Sequence, residues 1–253
     1  MKPYYDSDGI TIYHGDCRDV LPKLDDASVD FVFTDPPYGH NNNNDDLIAR
    51  WELALGTTNT TPETRPIAGD GFAEANELVR FLFAEARRLL SPGCCCCCCC
   101  CGGGPDPQFA RWSLWLDELL GFKQMIVWDK GPIGMGWHYR RSYETVLVGQ
   151  KPGGACRWFD RSNTVENVIR HIRKIVPSRT EHPTEKRIEL PGYFIALHTQ
   201  PGHLVLDPFA GRGSTLIAAK LAYCRAIGVE LDERWCESAA RRLDQRMLQF
   251  TFW

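Results

Sequence analysis

The sequence predicts an α/β fold built on one mostly parallel sheet with helices on both faces. Short apolar runs suited to strands alternate along the chain with longer segments of helical periodicity. Two of the apolar runs pass directly into proline- or glycine-containing turns, and ligands of parallel sheets lie beyond such strand ends. The chain has 253 residues, of which 43% are hydrophobic, so it is long and apolar enough to bury a substantial core.

The first half of the chain is expected to begin with a strand, a short helix and a buried strand, at residues 10–14, 17–24 and 29–33. Residues 40–72 lack a sustained period and are rich in Asn, Thr, Gly and Pro, which predicts a long loop. Apolar side chains at helical spacing predict helices at 74–90 and 107–120. Further apolar runs predict strands at 123–128 and 143–148.

Eight consecutive cysteines, Cys94 to Cys101, follow the first of these long helices. Neighbouring side chains on a strand point to opposite faces, so the run is poorly suited to pair in disulfides or to converge on one metal ion. Buried cysteine behaves as a small hydrophobic residue. The run therefore predicts an interior strand in a reducing compartment, with a metal cluster as the weaker alternative.

The last part of the chain repeats the alternation of helices and strands. We expect helices at 184–198 (despite Pro191), 214–223 and 233–248, and strands at 204–206 and 226–231. Residues 149–181 are irregular and basic, and residues 136–187 hold eleven Lys or Arg against five acids. Because the whole chain has a net charge of only −3, this local excess is compatible with an anionic partner at one face or with an ordinary solvated surface.

The chain has no apolar run long enough for a membrane span and no secretory h-region after Met1. We therefore expect no membrane association and a cytoplasmic location, in a bacterial cell or a phage-infected host.

A glycine-containing turn follows the strand at 204–206. Gly211 and Gly213 let the backbone approach a ligand, and the helix that follows offers free N–H groups. Glu230, at the end of the next strand, is placed to accept both hydroxyls of a ribose. A purely structural turn is the alternative. The third glycine of the dinucleotide fingerprint and a Gly-Lys-Ser/Thr sequence are both missing, which favours a nucleoside ligand other than NAD or ATP.

The tetrapeptide Asp35-Pro36-Pro37-Tyr38 lies where the strand at 29–33 ends. The carboxylate of Asp35 and the carbonyl of Pro36 can both accept hydrogen bonds from one amine, which would orient its lone pair outward. Tyr38 offers a flat face on which a base can stack, and the two prolines make the turn rigid. A proline-rich turn without catalytic role is the alternative.

Four segments together resemble the class β amino-methyltransferases, which act on DNA and use S-adenosylmethionine. They are Asp35-Pro36-Pro37-Tyr38, His182-Pro183-Thr184-Glu185-Lys186, Asp207-Pro208-Phe209-Ala210-Gly211-Arg212-Gly213 and Gly228-Val229-Glu230-Leu231-Asp232. The resemblance covers nearly the whole chain, and the catalytic segment precedes the cofactor segment, as it does in this class. It implies a Rossmann-like, circularly permuted methyltransferase fold.

The resemblance also implies the roles of individual residues. Asp35, Pro36 and Tyr38 would hold the target amine and base, and Asp35 at the first position is similar to the adenine-N6 group more than to the cytosine-N4 group. The implied cofactor-binding residues are Asp16, Cys17, Asp35, Thr184, Lys186, Asp207, Phe209, Gly211, Gly213, Ser214, Thr215 and Glu230. A target buried in duplex DNA would have to flip out of the stack.

We therefore expect the chain to have three parts: a catalytic half at 1–135, a target-recognition insert at 136–181 and a cofactor-binding half at 182–253. Within the insert, the expected DNA contacts are Arg140, Arg141, Arg157, Arg161, Arg170, Arg173 and Lys174. The expected partner is double-stranded DNA, with a homodimer and a restriction endonuclease as further possibilities and no metal ion. Cytosine-N4 methylation and a non-catalytic nucleic-acid-binding protein on the same scaffold are the alternatives.

Overall fold

The computed structural model describes residues 1–39, 70–100, 108–131, 142–172 and 186–245. The strands in these ranges are β1 (Tyr5–Ser7), β2 (Ile10–His14), β3 (Val29–Thr34), β4 (Leu90–Cys100), β5 (Phe122–Asp129), β6 (Tyr143–Gln150), β7 (Val168–Ile169), β8 (Leu204–Asp207) and β9 (Arg225–Glu230). The α-helices are α1 (Cys17–Val20), α2 (Phe72–Leu89), α3 (Gln108–Leu119), α4 (Glu189–His198), α5 (Ser214–Leu221) and α6 (Glu233–Asp244). Within these ranges no helix has both the length and the apolar character of a membrane span.

All nine strands form one sheet in the order β1-β2-β9-β8-β3-β4-β6-β5-β7. Strands β2, β9, β8, β3 and β4 run parallel to one another, and β7 runs parallel to β5. Strand β6 is antiparallel to both of its neighbours, and β1 is antiparallel to β2. The carboxyl ends of β2, β9, β8, β3 and β5 and the start of β6 therefore lie along one rim, which we call the carboxyl edge.

Helices cover both faces of the sheet. One hydrophobic cluster joins it to α4, α5 and α6, with Phe194 and Leu216 at 2% and 0% exposure. The other joins it to α1, α2 and α3, with Phe83 and Trp112 fully buried. The predicted α/β fold, with a mostly parallel sheet between two helical layers, is confirmed.

The cysteine run forms the middle of β4, between β3 and β6. Cys95 and Cys97 belong to one cluster, whereas Cys94, Cys96 and Cys98 belong to the other. Burial raises the pKa of the Cys96 thiol to about 12, which keeps it protonated. Over these five residues the cysteines fill both layers of the core, as expected for an interior strand.

Several elements differ from those expected. The helix expected at 17–24 divides into α1 and a 3-10 turn at Leu21–Lys23 that contains a proline. The helix expected from residue 184 begins at Glu189, and residues 173–185 lie outside the described ranges. Strands β1 and β7 were not expected. Of the predicted loop at 40–72, only residues 70–72 are described, and they lead into α2.

The recognition insert predicted at 136–181 includes a strand of the main sheet. Residues 143–150 form β6, which pairs with β4 on one side and with β5 on the other. Its residues 144–149 are buried. The side chains of β6 are thus part of the core of the sheet, whereas the described residues 151–167 that follow it form neither helix nor strand.

Candidate active site

Three acidic residues stand at the carboxyl edge, on neighbouring strands. Asp35 follows β3, Asp207 ends β8 and Glu230 ends β9. These strands are adjacent in the sheet, in the order β9-β8-β3. Since neighbouring strands lie about 4.8 Å apart, the diproline turn and the glycine turn meet at one place.

The Asp35-Pro36-Pro37-Tyr38 turn is held from both ends. Pro36 and Pro37 are buried, whereas Asp35 and Tyr38 are partly exposed at the rim. The N–H of Gly39 donates to the Asp70 carboxylate at 2.9 Å. The Tyr38 hydroxyl donates to Oδ1 of Asp35. The turn therefore presents a carboxylate at the carboxyl edge, with one oxygen occupied by the protein's own tyrosine.

Lys186 links the catalytic turn to the glycine turn. Its Nζ lies 2.9 Å from Asp35 Oδ2 and 3.1 Å from the Tyr38 hydroxyl oxygen. Its backbone carbonyl accepts a hydrogen bond of 2.9 Å from the hydroxyl of Ser214, the first residue of α5. The resemblance implied a cofactor-binding role for Lys186, and here its ammonium lies against Asp35. Thr184 lies outside the described ranges.

The glycine turn adopts the backbone geometry that its residues predict. Gly211 and Gly213 have φ of 49° and 77°, in the left-handed region. A Cβ at Gly213 would lie 3.0 Å from the Cβ of Ala239. The N–H of Gly211 donates to Oε2 of Glu230 at 2.8 Å, which joins the turn to the end of β9. The turn therefore needs glycine at both positions for its backbone conformation, and Gly213 also for its close packing against α6.

Burial disfavours the ionised form of two acids at this edge, Asp207 and Glu230. Burial raises the pKa of Asp207 to about 7, and the nearby Asp35 and Glu230 carboxylates add to the effect. The N–H of Phe209 and the hydroxyl of Thr215 donate to Asp207 and partly offset it. Burial also raises the pKa of Glu230. A cationic ligand at this position would relieve the mutual repulsion of the three acids.

Asp16 and Cys17 lie beside the same edge. The N–H of Gly15 donates to the Glu230 carbonyl at 2.9 Å, which brings the start of α1 next to the end of β9. Asp16 caps α1 through the N–H of Arg18, and the Arg18 guanidinium pairs with both of its carboxylate oxygens. Cys17, the first residue of α1, is buried. The position fits the implied role, although the Asp16 carboxylate already has a cationic partner.

The structure separates the basic residues that were expected to contact DNA. Arg157 lies away from the carboxyl edge: its guanidinium pairs at 2.5 Å with Asp30, near the start of β3, and its DNA contact stays a prediction. Arg161 belongs to the same stretch of chain as Arg157. Phe159, two residues before Arg161, donates its N–H to the carbonyl of Leu197 near the end of α4. Arg170 instead follows β7 at the carboxyl edge and is exposed, paired with Glu166 at 2.7 Å. Arg140, Arg141, Arg173 and Lys174 lie outside the described ranges.

Sequence reasoning missed two charged residues of this site. Glu144, near the start of β6, lies with Oε1 2.6 Å from Lys130 and Oε2 3.2 Å from Lys186. Burial by itself would raise the pKa of Glu144, but the two ammonium groups outweigh it and hold the pKa at about 2. The available signal was an acid within the apolar run of β6, since a buried charge requires a partner.

Comparison with known proteins places the chain among DNA-modifying enzymes. The model of the family described as DNA methylase, for N6- and N4-directed enzymes, matches residues 29–241. A DNA adenine methyltransferase of Escherichia coli, YhdJ, is 27% identical over 92% of this chain and 82% of its own length. The type II methyltransferase M2.DpnII of Streptococcus pneumoniae is 25% identical over 96% and 92% of the two chains. A solved DNA modification methylase of Thermus thermophilus, complexed with S-adenosyl-L-methionine, is 25% identical with a TM-score of 0.64, covering 94% of this chain and 96% of its own.

Proposed function

The chain belongs to the DNA methylase family and uses S-adenosylmethionine, and we propose that its target is the exocyclic N6 amine of adenine at a specific site in double-stranded DNA. The observation that carries the proposal is the ion pair between Asp35 and Lys186. The backbone carbonyl of Lys186 in turn accepts a hydrogen bond from the hydroxyl of Ser214, next to the glycine turn. Asp at the first position of the tetrapeptide and a relative named as a DNA adenine methyltransferase both favour adenine over cytosine.

The residues at the carboxyl edge fit this cofactor. Bound there, S-adenosylmethionine supplies an activated methyl group on a positively charged sulfur. We propose that Glu230 accepts the ribose hydroxyls with the lone pairs that Gly211 and Asp232 leave free. A bound cation would favour the ionised form of Asp207, whose pKa is raised to about 7 by burial and by the Asp35 and Glu230 carboxylates. The left-handed glycines let the backbone approach the ligand.

The chemistry that we assign to the chain's own residues is alignment and charge stabilisation. Asp35 and the Pro36 carbonyl accept the hydrogens of the target amine, which points its lone pair away from them. Positive charge develops on the nitrogen as it gains the methyl group, and the Asp35 carboxylate stabilises that charge. The proton then leaves to solvent, so Asp35 does not need to act as a strong base.

The Tyr38 hydroxyl occupies Asp35 Oδ1 before a base arrives. The target amine must therefore share that oxygen or displace the hydroxyl, and we propose that Tyr38 turns from this bond to stack on the flipped base. Its ring lies 6.4 Å from that of Trp112 and has the Lys186 ammonium 5.4 Å from its centroid.

The partners that we propose are double-stranded DNA, a second copy of the chain and a restriction endonuclease that reads the same sequence. Among the predicted DNA contacts that the structure describes, Arg170 is our candidate for a phosphate contact. It is exposed at the carboxyl edge, where Asp35 also lies. The relative named as a type II methyltransferase supports a restriction-modification role. Such a role places the protein in the cytoplasm of a bacterial cell or a phage-infected host.

The test is transfer of labelled methyl groups from S-adenosylmethionine to unmethylated duplex DNA, followed by nucleoside analysis. We expect N6-methyladenine from the wild type and at least a hundredfold slower transfer from Asp35→Asn, which keeps the shape but loses the charge. Asp25→Asn, which removes an exposed carboxylate near the start of β3, is the matched control. N4-methylcytosine as the product would refute the adenine assignment. Cofactor binding without any transfer would support a non-catalytic DNA-binding protein.

A further inference from the structure

Four charged side chains form one network beneath the proposed amine site. Lys130 contacts Glu144, Glu144 contacts Lys186, and Lys186 contacts Asp35, at 2.6, 3.2 and 2.9 Å. The side chains of Lys130, Glu144 and Lys186 are only 10–12% exposed, whereas that of Asp35 is 22% exposed. The network thus begins in the interior, at the start of β6, and ends at the carboxylate on the rim.

Three oxygens surround the Lys186 ammonium, and two of them belong to carboxylates with which it forms ion pairs. Asp35 Oδ2, the Tyr38 hydroxyl oxygen and Glu144 Oε2 all lie within 3.2 Å of Nζ. The Tyr38 hydroxyl accepts a hydrogen bond from Nζ, and the two carboxylates attract the ammonium as ion pairs, so the three oxygens together define its position. Two of the acceptors belong to the catalytic turn, and Glu144 is the one that comes from the sheet.

Glu144 is the rigid member of this set. It stands in a strand that is paired on both sides, with Glu144 opposite Trp128 in β5. Asp35 and Tyr38, in contrast, lie in a turn and must accommodate the arriving base. An anion fixed in the sheet can therefore keep the ammonium in place while its other two partners rearrange.

We propose that Glu144 is a positioning residue for methyl transfer: it holds the Lys186 ammonium at the point from which that ammonium orients the Asp35 carboxylate. The inference rests on the proposed function, because it assigns Asp35 to the target amine. It adds a residue that lies outside the four segments on which the family resemblance was based. The low pKa of Glu144, about 2, agrees with a permanent anion at this position.

The test compares steady-state methyl transfer by the full chain and three variants, with kcat and both KM values measured on unmethylated duplex DNA. Glu144→Gln alone leaves two buried cations against one carboxylate, so it is combined with Lys130→Met to keep the network neutral. Glu144→Asp keeps the charge but withdraws it by one methylene group. Glu118→Gln, which removes an exposed carboxylate of α3, is the control.

For the neutral double variant we expect a wild-type melting temperature within a few degrees, a kcat roughly tenfold to a hundredfold lower, and KM values within about threefold. Glu144→Asp should retain more kcat than the double variant, and Glu118→Gln should match the wild type. A purely structural Glu144 would instead give wild-type kcat whenever the protein is folded.

The possible outcomes distinguish a failure of the Glu144 role from a failure of the proposed function. Wild-type kcat in the folded double variant, or in Glu144→Asp if the double variant fails to fold, would overturn the role of Glu144 and leave the proposed function intact. A wild-type chain that transfers no methyl group to any DNA would overturn the proposed function and the inference with it.

Discussion

Replacement of Asp207 by Asn is expected to stabilise the folded protein, and to do so more strongly as the pH rises. Asp207 is buried at the end of β8, and its burial together with nearby carboxylates raises its pKa from 3.8 to about 7. An amide of the same shape can still accept the N–H of Phe209, which lies 3.1 Å from Oδ1. The substitution removes the titrating group, and the Thr215 hydroxyl, which donates to Asp207 in the wild type, must then share the amide oxygen or accept from the amide N–H.

The direction of the effect follows from proton linkage. Between the unfolded pKa of 3.8 and the folded pKa of about 7, the folded chain binds more protons at this site than the unfolded chain. Stability of the wild type therefore falls as the pH rises through this window, and the full cost of about 4 kcal/mol is present above it, at ~1.4 kcal/mol for each pKa unit. Asn carries no such cost.

The assay is urea unfolding of both proteins at about pH 5.5 and about pH 8.5, without cofactor. From the two pKa values, we expect the stability gain of Asp207→Asn to be about 2 kcal/mol larger at the higher pH. Asp25→Asn serves as the matched loss of an exposed carboxylate. An equal gain at both pH values, or a gain that shrinks as the pH rises, would refute the assigned environment of Asp207.

The remaining predictions concern the bound base, the glycine turn and the DNA surface. Tyr38→Ala should raise the KM for DNA about tenfold or more through lost stacking, whereas Tyr38→Phe should keep KM near that of the wild type, and equal KM values for the two would contradict the stacking role. Gly213→Ala forces a left-handed φ of 77° on alanine, so we expect a loss of about 1–3 kcal/mol in thermal unfolding and weaker cofactor binding by calorimetry. Arg170→Ala should weaken DNA binding and reduce the slope of log K against log salt by about 1, and an unchanged slope would exclude a phosphate contact. Arg157→Ala should leave that slope unchanged but cost roughly 1–2 kcal/mol of stability, because Asp30 keeps the N–H of Leu204 but loses its cationic partner.

Most of the fold follows from local patterns in the sequence. The strand and helix periods predict α2, α3, β3 and β9 to within a few residues, because each of these elements buries one face or both. Strands β1 and β7 have three and two residues, too few for any period to show. The place of β6 inside the sheet depends on pairing with β4, which lies about 50 residues earlier in the chain, and a local pattern does not carry that information.

The residues of the site also fall into two groups: those that local sequence patterns predict and those that only the tertiary structure reveals. Asp35, Gly211 and Glu230 are recognisable because each stands at the end of an apolar run, where the edge of a parallel sheet must lie. The contact of Lys186 with Asp35 joins distant segments, and it was therefore not foreseen. Arg157 was grouped with the DNA-binding residues on charge alone, and only its pairing with Asp30 reveals a structural role.

The most direct test of the central claim is a crystal structure of the protein with S-adenosylhomocysteine and a duplex that contains its recognition site. We expect a flipped adenine whose N6 lies within about 3.2 Å of both an Asp35 oxygen and the Pro36 carbonyl oxygen. The glycine turn at Gly211 should contact the cofactor product on the opposite side of that nitrogen. An adenine that remains stacked in the duplex, or an N6 distant from Asp35 while the cofactor lies at the glycine turn, would contradict the convergence of the two turns on one reaction.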